Sequence, residues 1–167
     1  MLLKGSCHCG AVHFHVRSRQ VYPYQRCYCS ICRKTQGGGG YAINLSGDAA
    51  TLGVTGQDRI TIYRANLVSG TGGRVCTSSA ERHFCSRCGS GLWLFSPEWP
   101  ELVHPFASAI DTPLPPSPQH THIMLGSKAS WVPVDAQPGD LRRQGYPDES
   151  IEDWHNRLGL TASRSSG

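Results

Sequence analysis

Cys27-Tyr28-Cys29-Ser30-Ile31-Cys32 places three thiols within one short stretch, and two similar stretches flank it: Cys7-His8-Cys9-Gly10 upstream and Cys85-Ser86-Arg87-Cys88-Gly89 downstream. Residues i and i+2 of an extended chain point to the same side, so Cys-x-Cys offers both sulfurs to one ion. A Cys-x-x-Cys turn curls two sulfurs and nearby N–H groups toward one point, and Gly89 supplies a tight exit from such a knuckle. Several such groups, without the neighbours of a thioredoxin-type site, predict metal ligation, and zinc is the default ion for all-sulfur ligands. Two closed tetrahedral sites need four sulfurs each, yet only seven of the eight cysteines are clustered. One site is therefore expected to keep an open position, as a zinc does when it binds something exchangeable. The compact triplet Cys27, Cys29 and Cys32 is the expected open site. Cys7, Cys9, Cys85 and Cys88 are the expected closed, structural site. Cys76 lacks a partner at knuckle spacing and is read as a buried thiol, with ligation as the alternative. His8, His13, His15, His83 and His122 stand singly and are read as packed or solvated side chains rather than nitrogen ligands.

With 167 residues and 18.2 kDa, the chain can bury a core without disulfides. Eight cysteines fall short of the roughly 8–10% that marks a disulfide scaffold. Met1-Leu2-Leu3-Lys4-Gly5-Ser6 contains no apolar signal region, which predicts a cytoplasmic protein with reduced thiols. No run of about 18 apolar residues exists to span a membrane. The net charge of +4 falls to about +1 once the thiolates of two zinc sites are counted. Lys and Arg never run beyond pairs, Arg33-Lys34 and Arg142-Arg143, so there is no basic arm and nucleic acid is disfavoured as a partner.

The 19 glycines and 11 prolines predict many turns and little long helix. From Ala11 to Val16 the chain alternates, with Val12, Phe14 and Val16 on one face, as a half-buried strand does. Tyr41–Leu45, Arg59–Tyr63, Leu92–Phe95 and Thr121–Met124 are further expected strands. Gly37–Gly40 and Ser69–Gly73 read as loops, and Asp111–Pro118 as an extended surface segment. One helix is expected, near the C-terminus. Asp148 is its expected cap, Pro147 suits its first turn, Ile151, Trp154 and Leu158 recur on one face, and Gly159 offers a left-handed stop. These patterns divide the chain into a mainly β zinc domain (3–135), an extension carrying the short helix (136–160) and a disordered tail (161–167).

Gly5-Ser6-Cys7-His8-Cys9-Gly10-Ala11-Val12, Cys27-Tyr28-Cys29-Ser30-Ile31-Cys32-Arg33-Lys34 and His83-Phe84-Cys85-Ser86-Arg87-Cys88-Gly89-Ser90 resemble the glutathione-dependent formaldehyde-activating family, which includes centromere protein V. Order and spacing match for all three clusters, and His122-Ile123 with Ala129-Ser130-Trp131 resembles the family's closing strand. The resemblance covers roughly Leu3 to Val134. It implies an Mss4-like fold of packed antiparallel sheets, a structural zinc on Cys7, Cys9, Cys85 and Cys88, and an exchangeable zinc on Cys27, Cys29 and Cys32. The Gly/Ser loop before Cys85 is longer than the family's, and the tail beyond Tyr146 departs from it.

The resemblance further implies glutathione as co-substrate and formaldehyde as the aldehyde, hence a carbon–sulfur lyase of the S-(hydroxymethyl)glutathione synthase type. Three thiolates make a poor activator of water and a better partner for a thiol. Arg33 and Lys34 directly follow the triplet, and backbone N–H groups from Gly37, Gly38 and the glycines after them offer an anion nest for the carboxylates of glutathione. A solvated cation pair and a flexible loop are the plain alternative. Trp93 and Phe95 are read as core. Two other functions remain open: a thiol carrier without real turnover, and a zinc module that binds protein or nucleic acid. The pattern of a zinc deaminase is missing.

Overall fold

The computed structural model describes residues 1–36, 38–69 and 73–161. Gly37, the tip of the Ser69–Gly73 loop and most of the 161–167 tail lie outside them. The described elements run β1 (Leu2–Ser6), β2 (His13–Arg17), β3 (Gln25–Cys27), α1 (Ser30–Gln36), β4 (Ala42–Ile43), β5 (Gly47–Asp48) and β6 (Gly53–Thr55). They continue with β7 (Ile60–Ser69), β8 (Arg74–Cys85), β9 (Gly91–Phe95), β10 (Leu102–Pro105), β11 (Thr121–Ile123), β12 (Leu141–Arg142) and α2 (Ile151–Arg157). The expectation of a mainly β protein with packed sheets and a short C-terminal helix agrees with this order.

Three sheets form. Strands β1-β2-β6 and β5-β10-β9-β8-β7 make two antiparallel sheets. The third, β12-β11-β3-β4, is mixed, because β11 runs parallel to both β3 and β12. That is a departure from an all-antiparallel expectation. Thr121 reaches β3 only after the long Pro-rich segment at 111–118, and a connection of that length permits parallel pairing.

The alternation in β2 works as read: Val12, Phe14 and Val16 are buried, while His13 and His15 face solvent. They pack with Leu3, Leu45, Leu92, Trp93 and Val103 in one core that also contains Cys7 and Cys85. Gly5 lets β1 lie close to its neighbours. A Cβ there would sit 2.4 Å from the Ala109 carbonyl oxygen and 2.5 Å from Phe14 Cζ, so only glycine fits.

Three sequence expectations need correction. Helix α1 was not foreseen; seven residues ending at a glycine run carry too little periodicity to stand out. Strand β8 was not foreseen; its stretch is polar and exposed around Thr77, and pairing with β7 and β9 holds it in the sheet. Helix α2 starts later than Asp148. Ser150 caps it in a reciprocal capping box with Asp153, while Asp148 instead accepts from Arg143 Nε at 2.6 Å. Gly159, at φ 67°, does adopt the expected left-handed stop.

Helix α2 locks onto β3's approach. Trp154 is fully buried and stacks on Tyr24 with ring centroids 3.8 Å apart. His155 Nε2 accepts from the Tyr22 N–H at 3.2 Å while Nδ1 lies 2.8 Å from the Ile151 carbonyl oxygen, the pattern of a neutral ring. Burial lowers its pKa, in keeping with that tautomer. Trp154→Ala should therefore destabilise the fold by about 3–5 kcal/mol in chemical denaturation; an effect within about 0.5 kcal/mol, as at a surface position, would show that α2 docks without contributing.

Candidate metal centres

Two groups of cysteine sulfurs converge, and they are the two expected from the sequence. Cys7, Cys9, Cys85 and Cys88 have their Sγ atoms within 4.8 Å of one another, as do Cys27, Cys29 and Cys32. All eight cysteines are free thiols.

The first centre is built from two knuckles of the same design. Cys7 N–H donates to the Val12 carbonyl and Gly10 N–H to that of Cys7; Cys85 N–H donates to the Ser90 carbonyl and Gly89 N–H to that of Cys85. Gly10 and Gly89 turn the chain out at φ 72° and 73°. Cys7 Sγ lies 3.6 Å from Cys9 Sγ, and Cys9 Sγ lies 3.7 Å from Cys85 Sγ. A tetrahedral zinc with sulfurs at roughly 2.3 Å separates them by about 3.8 Å, so this spacing fits the ion. Hydrogen bonds from the Ser90 hydroxyl, then from the backbone N–H groups of Ser90 and Cys9, hold the Cys88 thiol down at about 5. His8 is exposed and only its backbone N–H joins the knuckles, donating to Ser90 Oγ. His83 stacks on Trp93 outside the sulfur group.

The second centre is more enclosed. Cys27 ends β3, Cys29 precedes α1, and Cys32 lies in its first turn, packed with Ala42 and Ile123. Cys32 N–H donates to Cys29 Sγ at 3.3 Å. Close approach of the Cys29 sulfur pushes the Cys27 thiol far up. Cys29, accepting from Cys27 and Cys32 and from backbone N–H groups, is held down at about 2. Each sulfur that ionises thus opposes the ionisation of its neighbours. Ionising all three requires a cation, which is what a metal ion supplies. The Cys27 sulfur pulls Cys32 down, the Cys29 sulfur and burial push it up to about 11, and the Arg82 guanidinium acts against that rise.

The family model of the glutathione-dependent formaldehyde-activating enzyme matches residues 2–127. The chain belongs to that family. A relative from Halomonas elongata, provisionally named a glutathione-dependent formaldehyde-activating enzyme, is 61% identical over 160 residues, covering 96% of this chain and 98% of its own. A crystal structure of a Rhodobacter sphaeroides protein is similar at 29% identity and a TM-score of 0.50, over 67% of this chain and 91% of that one.

Around the second centre of this family member, several sequence expectations change. Cys76 is exposed on β8, opposite Leu67, and joins neither sulfur group. It is not the buried thiol expected, because β7 and β8 run on beyond the cover of β9. Lys34 is exposed and Arg33 half-buried, both on α1. Gly38 is exposed at φ 73°, and Gly37 is outside the described residues.

Two features were not legible in the sequence. Behind the triplet, Tyr28 Oη lies 2.9 Å from His122 Nδ1, and His122 Nε2 lies 3.4 Å from Asp140 Oδ2. Asp140 also accepts from the backbone N–H groups of His120 and Gln137. This chain ties the residue between Cys27 and Cys29 to the C-terminal extension. The second feature is Arg82, a buried cation whose charge acts on the Cys32 thiol. The polar neighbours of Arg82 in sequence conceal that it turns inward.

Cys88→Ser should leave a protein that unfolds or aggregates, since a structural metal contributes folding energy directly. Cys29→Ser should stay folded with about one metal ion fewer per chain. Metal analysis beside circular dichroism decides, and full metal content in both variants would contradict this ligand grouping.

Proposed function

We propose that the three-cysteine centre is a zinc site that receives the sulfur of glutathione, and that the protein is a cytoplasmic carbon–sulfur lyase interconverting glutathione plus formaldehyde with S-(hydroxymethyl)glutathione. The observation that carries this reading is the inequality of the two centres: four converging sulfurs in one, three in the other. In this reading Cys7, Cys9, Cys85 and Cys88 hold a structural zinc, residues 3–135 carry the chemistry, and 136–160 brace it. Zinc bound by Cys27, Cys29 and Cys32 would leave one position and favour deprotonated sulfur there.

The chain's own part is to hold and orient. The thiolate of glutathione adds to the carbonyl carbon of formaldehyde; the C–S bond forms, the π pair moves to oxygen, and oxygen takes a proton from water. The reverse step returns that proton, reforms the carbonyl and releases the thiolate. Burial of Cys27 and Cys32 keeps water from competing around the sulfurs. Arg33, Lys34 and backbone N–H groups at Gly37 and Gly38 are the proposed glutathione contacts on the side of α1. Membership in a family named for this activity supports the reading.

Glutathione should raise the melting temperature of the metal-loaded protein, and S-methylglutathione should do so far less, because its sulfur cannot become a thiolate. Glutathione adduct formation should also run faster than the uncatalysed addition. Equal shifts from both ligands, or none, would contradict the proposal; a selective shift without rate acceleration would make the protein a thiol carrier.

A further inference from the structure

Buried polar atoms without partners border the three-cysteine centre. Arg82 is 6% exposed, and neither its Nε nor its Nη1 meets an acceptor. No ion pair among the described residues includes it. Its positive charge acts on Cys32. Gln36 follows Cys32 by one helical turn and so shares its face of α1; its Nε2 is also buried and unpartnered. Asn44 Oδ1 is in the same state.

Backbone geometry brings these groups to one wall. β8 pairs with β9 through Arg82 opposite Leu94 and Phe84 opposite Gly91. A Cβ on Gly91 would lie 3.5 Å from Gln36 Cγ and 3.1 Å from the Phe106 ring, and Phe106 in turn bridges Asn44. The end of α1, the start of β9 and the residue after β4 therefore meet beside the strand that carries Arg82.

An unpaired buried guanidinium is strongly unfavourable unless something supplies the opposite charge. Its planar donor set suits a carboxylate better than any other common anion except phosphate. We propose that Arg82 is the carboxylate-recognising residue of the three-cysteine centre. The site thereby selects thiols that carry a carboxylate, with Gln36 and Asn44 meeting the amides of a peptide-like thiol. This inference rests on the reading that a thiol sulfur is held by the Cys27, Cys29 and Cys32 centre.

The test is isothermal titration of the metal-loaded full chain with glutathione and with cysteamine, a thiol that has no carboxylate. Arg82→Gln should weaken glutathione about ten- to a hundredfold, as expected for loss of a charge-assisted hydrogen bond, and leave cysteamine unchanged. Arg82→Met should show the same selectivity and keep the parent's metal content. If Arg82→Gln does not fold, Arg82→Met reads the same selectivity. Equal weakening of both thiols would overturn the inference and assign Arg82 to the charge of the sulfurs. Unchanged glutathione affinity would overturn it too. A parent protein that binds neither thiol overturns the proposed function itself, and that outcome appears before any variant is made.

Discussion

The convergence of Cys7, Cys9, Cys85 and Cys88 holds the molecule together. Cys9 and Cys85 are 76 residues apart in sequence, yet their sulfurs lie at 3.7 Å. Bringing such distant segments together carries a closure entropy that short strands alone would struggle to offset. Cys7 and Cys85 are themselves buried in the main core with Leu3, Phe14 and Trp93. The ligand set and the apolar core therefore stabilise the same contact between the first sheet and the β8–β9 turn.

The second centre depends on that frame without belonging to it. Its sulfurs sit on β3 and α1, in a separate small cluster with Ala42 and Ile123. Parallel pairing of β11 with β3 aligns Ile123 with Cys27, and Tyr28 N–H donates to the Ile123 carbonyl. The extension reinforces it from behind through Asp140, His122 and Tyr28. Strand β8, which ends at Cys85, carries the buried Arg82, whose charge acts on Cys32. The four-cysteine centre thus fixes the frame against which the three-cysteine centre is built.

Both sulfur groups were legible in the sequence because Cys-x-Cys and Cys-x-x-Cys are local geometry: the spacing itself aims the side chains. The inward face of β2 was legible for a similar reason, since Val12, Phe14 and Val16 alternate. Long-range partnerships left no such trace. His122 looks solitary in sequence, and its partners Tyr28 and Asp140 are brought to it by parallel pairing across three strands. Arg82 lies in a polar stretch whose ladder with β7 and β9 decides which side chain turns inward. Helix α1 escaped notice because it is short and its start is shaped by the Cys29 turn, where Arg33 N–H donates to the Cys29 carbonyl at 3.0 Å.

Four thiols of the chain would saturate one zinc, and three would reserve a place for an incoming sulfur on the other. X-ray absorption at the zinc edge of the fully loaded protein measures the mean number of sulfur neighbours directly. About 3.5 sulfurs per zinc are expected in the free protein, rising to about 4 when glutathione is added. A value of about 4 before glutathione, or one that does not change on its addition, would contradict this assignment.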